Sequence, residues 1–201
     1  MSPVDETYNQ SVFINIPFDK SYERLFVALI ASLISLGRIP HCVLEISERG
    51  QGRLNRIVDI LKSCQVSAHD LSKVGAPARF NMPFELGLAY SLSRNTQRHS
   101  FIIFERKRHR LAITLSDLRG FDPYIHKGSM RGIVNGVLDA LSSEENNPDP
   151  REVWQFSLNL WKAACRLKQQ SGRNDIYNRT LYLKLLSVGL ELAIQRGFIS
   201  P

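Results

Sequence analysis

Cysteine is scarce in this chain, and what there is lies scattered. Cys42, Cys64 and Cys165 are the only three in 201 residues, and none forms a C-x-x-C pair. That argues against a disulfide framework or a cysteine-rich zinc site and suits a reducing, cytoplasmic setting. His69 has no cysteine or histidine near it at ligand spacing, so no metal is expected. Long apolar runs are missing too. Residues 25–36 form the longest nearly apolar stretch, well short of the roughly 20 residues a membrane helix needs. They read as a buried helix, and no membrane partner is expected. The first ten residues are polar and include Asp5 and Glu6, unlike a signal peptide. No aromatic residue interrupts the densest basic cluster, Arg106-Lys107-Arg108-His109-Arg110, which counts against a base-stacking surface for nucleic acid. The net charge of +7 favours phosphorylated or polyanionic partners only weakly. The cluster reads first as a solvated loop after a strand, with a phosphate contact as its functional alternative.

What the chain does have is alternation. Strand-like runs at 11–16, 40–44, 66–69 and 100–105, and a short one within 122–126, are separated by helical patterns at 22–36, 53–64, after 81, and at 130–141. Gly37 is placed to end the first of those helices. The run Phe101-Ile102-Ile103-Phe104 suits a strand covered on both faces. Strands alternating with helices imply an α/β fold, most economically a flavodoxin-like parallel sheet of about five strands with helices on both faces. Ser142 to Pro150 reads as a linker, dividing an α/β domain at 1–145 from a C-terminal helical pair at 150–201. Two such helices cannot bury their apolar faces alone. They must dock on the α/β domain or on a second copy, so a homo-oligomer through them is one expectation.

The richest stretch is Arg79-Phe80-Asn81-Met82-Pro83-Phe84-Glu85-Leu86-Gly87-Leu88-Ala89-Tyr90. Pro83 suits an early helical position. Asn81 or Met82 then becomes the cap, and Glu85 falls at or near the third helical position, in the first turn. In an open α/β sheet, ligands bind at the carboxyl ends of the strands, where the next helices begin. Three segments should converge there: Asn15-Ile16-Pro17-Phe18-Asp19, His69-Asp70-Leu71-Ser72, and Asn81 to Glu85. They offer the carboxylates of Asp19, Asp70 and Glu85, the amides of Asn15 and Asn81, the Phe18 ring, the backbone at Pro17 and Met82, the Ser72 hydroxyl and the Arg79 guanidinium. Glu45 and Glu48 could join them. Such a set fits a ribosylated ligand: carboxylates bind ribose hydroxyls, a ring stacks on a base, and helix N-termini with an arginine attract phosphate. Each residue also has a plainer reading. Glu85 could be the acid of a capping box. Asp70 and Asn15 could be turn formers, His69 a satisfied structural histidine, and Phe18 core or lid.

The opening Val12-Phe13-Ile14-Asn15-Ile16-Pro17-Phe18, the acid at Asp70 and above all Phe84-Glu85-Leu86-Gly87-Leu88-Ala89-Tyr90 resemble the superfamily that joins nucleoside 2-deoxyribosyltransferases, Toll/interleukin-1 receptor (TIR) domains and bacterial TIR-like nucleotide-binding proteins. The likeness covers residues 11–141. It implies that Glu85 is a catalytic glutamate acting on the bond between a ribose and a base, with NAD or a related nucleotide as substrate and no further cofactor. It also implies a role in bacterial stress or antiphage defence, with activity switched by assembly or by a partner protein. The strand end Asn15-Ile16-Pro17 departs from the Ala-Gly-Pro pattern of the transferases, which weighs against deoxyribosyl transfer. The alternatives are a non-catalytic nucleotide sensor built on the same pocket and a TIR-type interaction module.

Overall fold

A computed structural model describes residues 3–46, 52–73, 80–96 and 98–200. The strands are β1 (Ser11–Asn15), β2 (Ile39–Cys42), β3 (Val66–Asp70), β4 (Ser100–Glu105) and β5 (Tyr124–Ile125). They form one five-stranded sheet in the order β2-β1-β3-β4-β5, and every neighbouring pair is parallel. This is the flavodoxin-like order. Its switch point, where successive connections turn to opposite edges, lies between β1 and β3.

The helices are α1 (Pro3–Gln10), α2 (Glu23–Ser35), α3 (Arg53–Lys62), α4 (Asn81–Thr96), α5 (Arg110–Thr114), α6 (Met130–Leu141), α7 (Pro150–Gln170) and α8 (Arg179–Gln195). Because side chains alternate along a strand, β1 sends Val12 and Ile14 into one cluster with α2 and α6, and Phe13 into another with Ile57, Leu61 and Ala89 of α3 and α4. β3 divides in the same way: Val66 and Ala68 join the α2 cluster, which leaves Ser67 and His69 facing α3 and α4. Gly37 ends α2 with φ +64°; its N–H bonds Ile34 O at 2.9 Å and the Arg38 N–H bonds Leu33 O at 2.9 Å, a left-handed helix stop as its sequence suggested.

Two local features differ from the sequence pattern. The second strand begins and ends earlier than 40–44, because Val43–Glu45 turns back as a 3-10 helix. Glu45 drives that turn: its carboxylate accepts the Cys42 N–H at 2.9 Å and lies 3.0 Å from His41 Nδ1. Residues before β1 form α1, a polar helix with no apolar stripe to announce it, anchored where the Gln65 N–H bonds Tyr8 O at 3.2 Å.

The C-terminal helices dock on α2 and α6, over one face of the sheet. Val153, Phe156, Leu160 and Ala164 of α7, with Tyr182, Leu185 and Ala193 of α8, share one apolar cluster with α2 and α6. Polar ties reinforce it. The buried Glu23 carboxylate accepts from Lys168 Nζ at 2.6 Å and from the Ile176 N–H at 3.1 Å. The Tyr182 hydroxyl donates to Pro40 O at 2.7 Å. The 142–150 segment is held as well, with Asn146 Nδ2 donating to Leu36 O at 3.0 Å. No described helix is long and apolar enough to cross a membrane.

Candidate functional site

The sheet's carboxyl edge places Asn15 at the end of β1 opposite His69 of β3, directly at the switch point. Asn15 is 2% exposed and His69 fully buried. Asn15 Nδ2 lies 2.9 Å from His69 Nδ1 and donates to Met82 O at 3.1 Å. The amide therefore bridges the two central strands to the first turn of α4. Asn15 Oδ1 is buried and has no hydrogen-bond partner among the described residues. An orphan acceptor of this kind costs about 1–3 kcal/mol.

Glu85 lies three residues beyond Met82, hence on the same side of α4. Its position corrects the sequence reading. α4 begins at Asn81, and the Phe84 N–H bonds Phe80 O at 3.1 Å, so Phe80 takes the capping place that Asn81 or Met82 was expected to hold. Glu85 is then the fifth helical residue and outside the first turn. From there its carboxylate cannot reach back as a capping box, which needs the third position. Pro83 remains among the first four residues, where a missing N–H leaves no gap. Glu85 is 4% exposed. No hydrogen bond or ion pair to its carboxylate occurs among the described residues. Burial pushes its pKa from an ordinary 4.5 up to about 7, and the Arg53 charge at the start of α3 draws it only partly back.

The other expected residues divide into two groups. Asp70 and Ser72 lie on the opposite side of β3, because Asp70 pairs with Phe104, a member of the α2 cluster. Asp70 Oδ1 accepts the Ser72 N–H at 2.9 Å, and His126 Nε2 lies 2.7 Å from Ser72 Oγ and 3.3 Å from Asp70 Oδ2. His126 Nδ1 accepts the Gly128 N–H at 3.0 Å, so the ring's proton sits on Nε2. The shorter contact takes that proton to Ser72, which leaves Asp70 Oδ2 with a close imidazole but no hydrogen bond. Tyr22 completes this group. Burial raises its phenol to about 12, and the Asp70 charge adds to the effect. Asp70 thus faces the opposite side of the sheet from Asn15 and Glu85, where the convergence of segments had suggested one shared site.

Asp19 caps the 3-10 turn that follows it, accepting from Ser21 N at 3.0 Å and Ser21 Oγ at 2.8 Å, and pairs with Lys73. Pro17 is buried. Phe18 belongs to an aromatic group with Tyr177 at 5.1 Å and Phe26 at 5.9 Å between ring centres; this is its core reading, away from Glu85. Asn81 is exposed and Met82 half-buried. Arg79 and Glu48 lie outside the described residues. In the basic cluster, Arg106 to His109 are exposed, while Arg110 turns inward to bond Glu105 at 2.9 Å and Leu71 O at 2.8 Å.

Sequence reasoning did not single out Ser67, His99 or His126. Ser67 Oγ lies 2.9 Å from His99 Nε2 and 2.8 Å from His69 Nε2, and His99 Nδ1 lies 2.8 Å from Cys64 O. A signal was present: Val66-Ser67-Ala68-His69 puts a polar residue at every second place of a strand buried throughout. One face of β3 must then carry a hydrogen-bonded network. Among the described residues no group of three or more histidines, cysteines and carboxylates is placed to hold a metal ion. No protein-family model matches the chain, and no curated protein matches it.

Proposed function

We propose that the protein is a TIR-like N-glycosidase that cleaves the bond between ribose and nicotinamide in NAD or a close relative, with Glu85 as the catalytic residue. The observation that carries this reading is the Glu85 carboxylate itself: 4% exposed, too far into α4 to cap it, beside the switch point, and raised to about 7 by burial. A buried acid held without a strong partner is unfavourable for the fold and is characteristic of functional sites.

The chemistry follows from the substrate's charge. Breaking an N-glycosidic bond builds positive charge on the sugar. An ionised carboxylate at C1′, or on a ribose hydroxyl, stabilises that charge or captures the sugar as an ester. Nicotinamide leaves a cationic ring as a neutral molecule and needs no proton donor. This suits the surroundings of Glu85. His69 is held neutral, its pKa lowered to about 3 by burial. Asp70, the other candidate proton donor, faces the opposite side of the sheet. NAD is therefore a better match than an ordinary nucleoside, whose base must be protonated as it leaves.

The test is incubation of the full chain with NAD while free nicotinamide is followed. Release that disappears in Glu85→Gln supports the reading. Release unchanged by that substitution removes Glu85 from the mechanism. Thermal stabilisation by NAD without turnover would instead point to the nucleotide sensor.

A further inference from the structure

The hydrogen bonds around Asn15 fix one another's direction, and the order runs from one end of the sheet's α3/α4 face to the other. The starting point is the Cys64 carbonyl, which can only accept. His99 Nδ1, 2.8 Å away, must therefore carry a proton. Burial lowers the pKa of His99, so the ring is neutral and its Nε2 is a bare acceptor. Ser67 then donates its single hydroxyl proton to that nitrogen across 2.9 Å. With its proton committed, Ser67 Oγ can only accept from His69 Nε2 at 2.8 Å. His69, also neutral, is left with a bare Nδ1, which accepts from Asn15 Nδ2 at 2.9 Å. The second Asn15 N–H reaches Met82 O at 3.1 Å. Two independent acceptors, one on β3 and one on α4, therefore agree on which end of the amide is nitrogen. What remains is Asn15 Oδ1, an acceptor with no partner among the described residues, in a residue 2% exposed.

We propose that His99, Ser67 and His69 are positioning residues whose ordered hydrogen bonds hold the Asn15 amide oxygen as a fixed acceptor for a hydroxyl group of the ligand's sugar. The inference rests on the reading of Glu85 as a residue that acts on a sugar, and names how that sugar is oriented beside it. The site supplies acceptors and the ligand must supply donors. Asn15 Oδ1 takes one sugar hydroxyl, and the Glu85 carboxylate, within a helical turn of Met82, is free for the reacting end. The chain matters because an asparagine amide can turn over. If His69 carried its proton on Nδ1, Oδ1 would face His69, the NH2 group would face the ligand, and the acceptor would become a donor. Three residues behind the Asn15 amide set that polarity, which fits their full or near-full burial.

The experiment is side-chain 15N NMR of the full chain without ligand, followed by titration with D-ribose, the moiety that the proposed substrates share. The expected result is two neutral rings in opposite tautomers at neutral pH, His99 protonated on Nδ1 and His69 on Nε2. A His69 ring protonated on Nδ1, or charged, overturns the proposal. Ribose should shift the Asn15 side-chain amide signals in the wild type and in Ser67→Thr, which keeps the hydroxyl. The shift should be lost in Ser67→Ala, where His69 is free to take either tautomer. No ribose response in the wild type, or an undiminished response in Ser67→Ala, also overturns it. The tautomers are read in the unsubstituted protein, so the proposal stays testable even if Ser67→Ala does not fold. NAD that stays intact beside the expected tautomers and ribose response would defeat the glycosidase reading alone. NAD cleavage with reversed tautomers would defeat this inference alone.

Discussion

Helices α2 and α4 cover opposite faces of one sheet and are buried to very different extents. Twelve of the thirteen residues of α2 are buried, between the sheet and the outer helices α7 and α8, with α6 beside α2 on the sheet. Of the sixteen residues of α4 only Glu85, Leu86 and Ala89 are buried, and Phe80 and Phe84 at its start are largely exposed. One face is three layers deep and the other two. Glu85, a buried acid with no hydrogen bond or ion pair among the described residues, lies on the thin face. The difference is one of cover: the thick face supplies most of the apolar burial, and the thin face holds Glu85 beneath a single helical layer, although the α2 face has a buried acid of its own in Asp70.

Truncation should affect the two faces very differently. Phe26→Ala, at a residue with no exposed surface in the α2 cluster, should cost about 3–5 kcal/mol, read as the shift in urea midpoint. A loss under about 1 kcal/mol would show that the thick face is not the stabilising one.

Glu85→Gln should act in the opposite direction. The folded state binds the Glu85 proton more tightly than the unfolded chain does, with a pKa of about 7 against 4.5. Between those values the native state holds more protons, so this residue's contribution makes stability fall as the pH rises through the window. Above about 7 the full cost applies, at most about 3 kcal/mol. Glu85→Gln should thus raise stability at pH 8, leave it nearly unchanged at pH 4, and abolish nicotinamide release. Equal denaturant midpoints for the two proteins at pH 8 would mean that the carboxylate is not held in an unfavourable place.

The same contrast explains which features could be read from the sequence. The parallel sheet and the extent of α2 were legible, though the strand order was not, because strands alternate with helices and burial on both faces leaves long apolar runs, as in residues 25–36 and 101–104. Gly37 was legible because its role is backbone geometry. α4 gave its residue types but not its start. Pro83 tolerates any place in the first turn, so it could not fix whether Glu85 stood third or fifth, and the difference decides whether the acid caps the helix. The separation of Asp70 from Asn15 depends on register. Adjacent residues of β3 face opposite sides, so His69 belongs with Asn15, and Asp70 with Ser72 and His126. The Ser67–His99 link depends on a fold-level contact between β3 and the start of β4, which no local spacing encodes.

Activity and stability should respond to pH through different groups. The proposed mechanism needs Glu85 ionised. In the free protein kcat/KM for NAD should therefore rise about tenfold per pH unit below about 7 and level off above it, given the raised pKa. The cationic nicotinamide ring, once bound, favours the charged carboxylate, so the limb of kcat should lie at lower pH than that of kcat/KM. Superimposable limbs would mean that the substrate's charge is not beside Glu85. Stability should respond to acid through different groups. His69 and His99 have pKa values lowered by burial, His69 to about 3. Below pH 6.5 the unfolded chain takes up protons that the native state refuses, so stability is lost as the pH falls from there.

The smallest effect belongs to Asp19, which joins the loop after β1 to the loop after β3 through Lys73. Bonds from Lys73 and Ser21 hold its carboxyl well below the ordinary value of 3.8. The lowered pKa makes the stabilisation present above about pH 4 and lost as the pH falls further. Yet both partners keep more than a quarter of their side-chain surface exposed, so solvent screens the pair and it contributes about 0.2–1 kcal/mol. Asp19→Asn keeps an oxygen for the Ser21 N–H while removing the charge. It should cost no more than about 1 kcal/mol at low salt, and molar salt should remove most of the difference because exposed charges are screened within about 3 Å at that strength. NAD turnover should stay within about twofold of wild type, because a change below about 0.4 kcal/mol in transition-state stabilisation is expected from a residue away from Glu85. A large loss of turnover with stability intact would place Asp19 at the ligand after all. The site would then reach across the switch point to the α2 side, and the separation of the two faces would fail at the one place where a described ion pair links their loops.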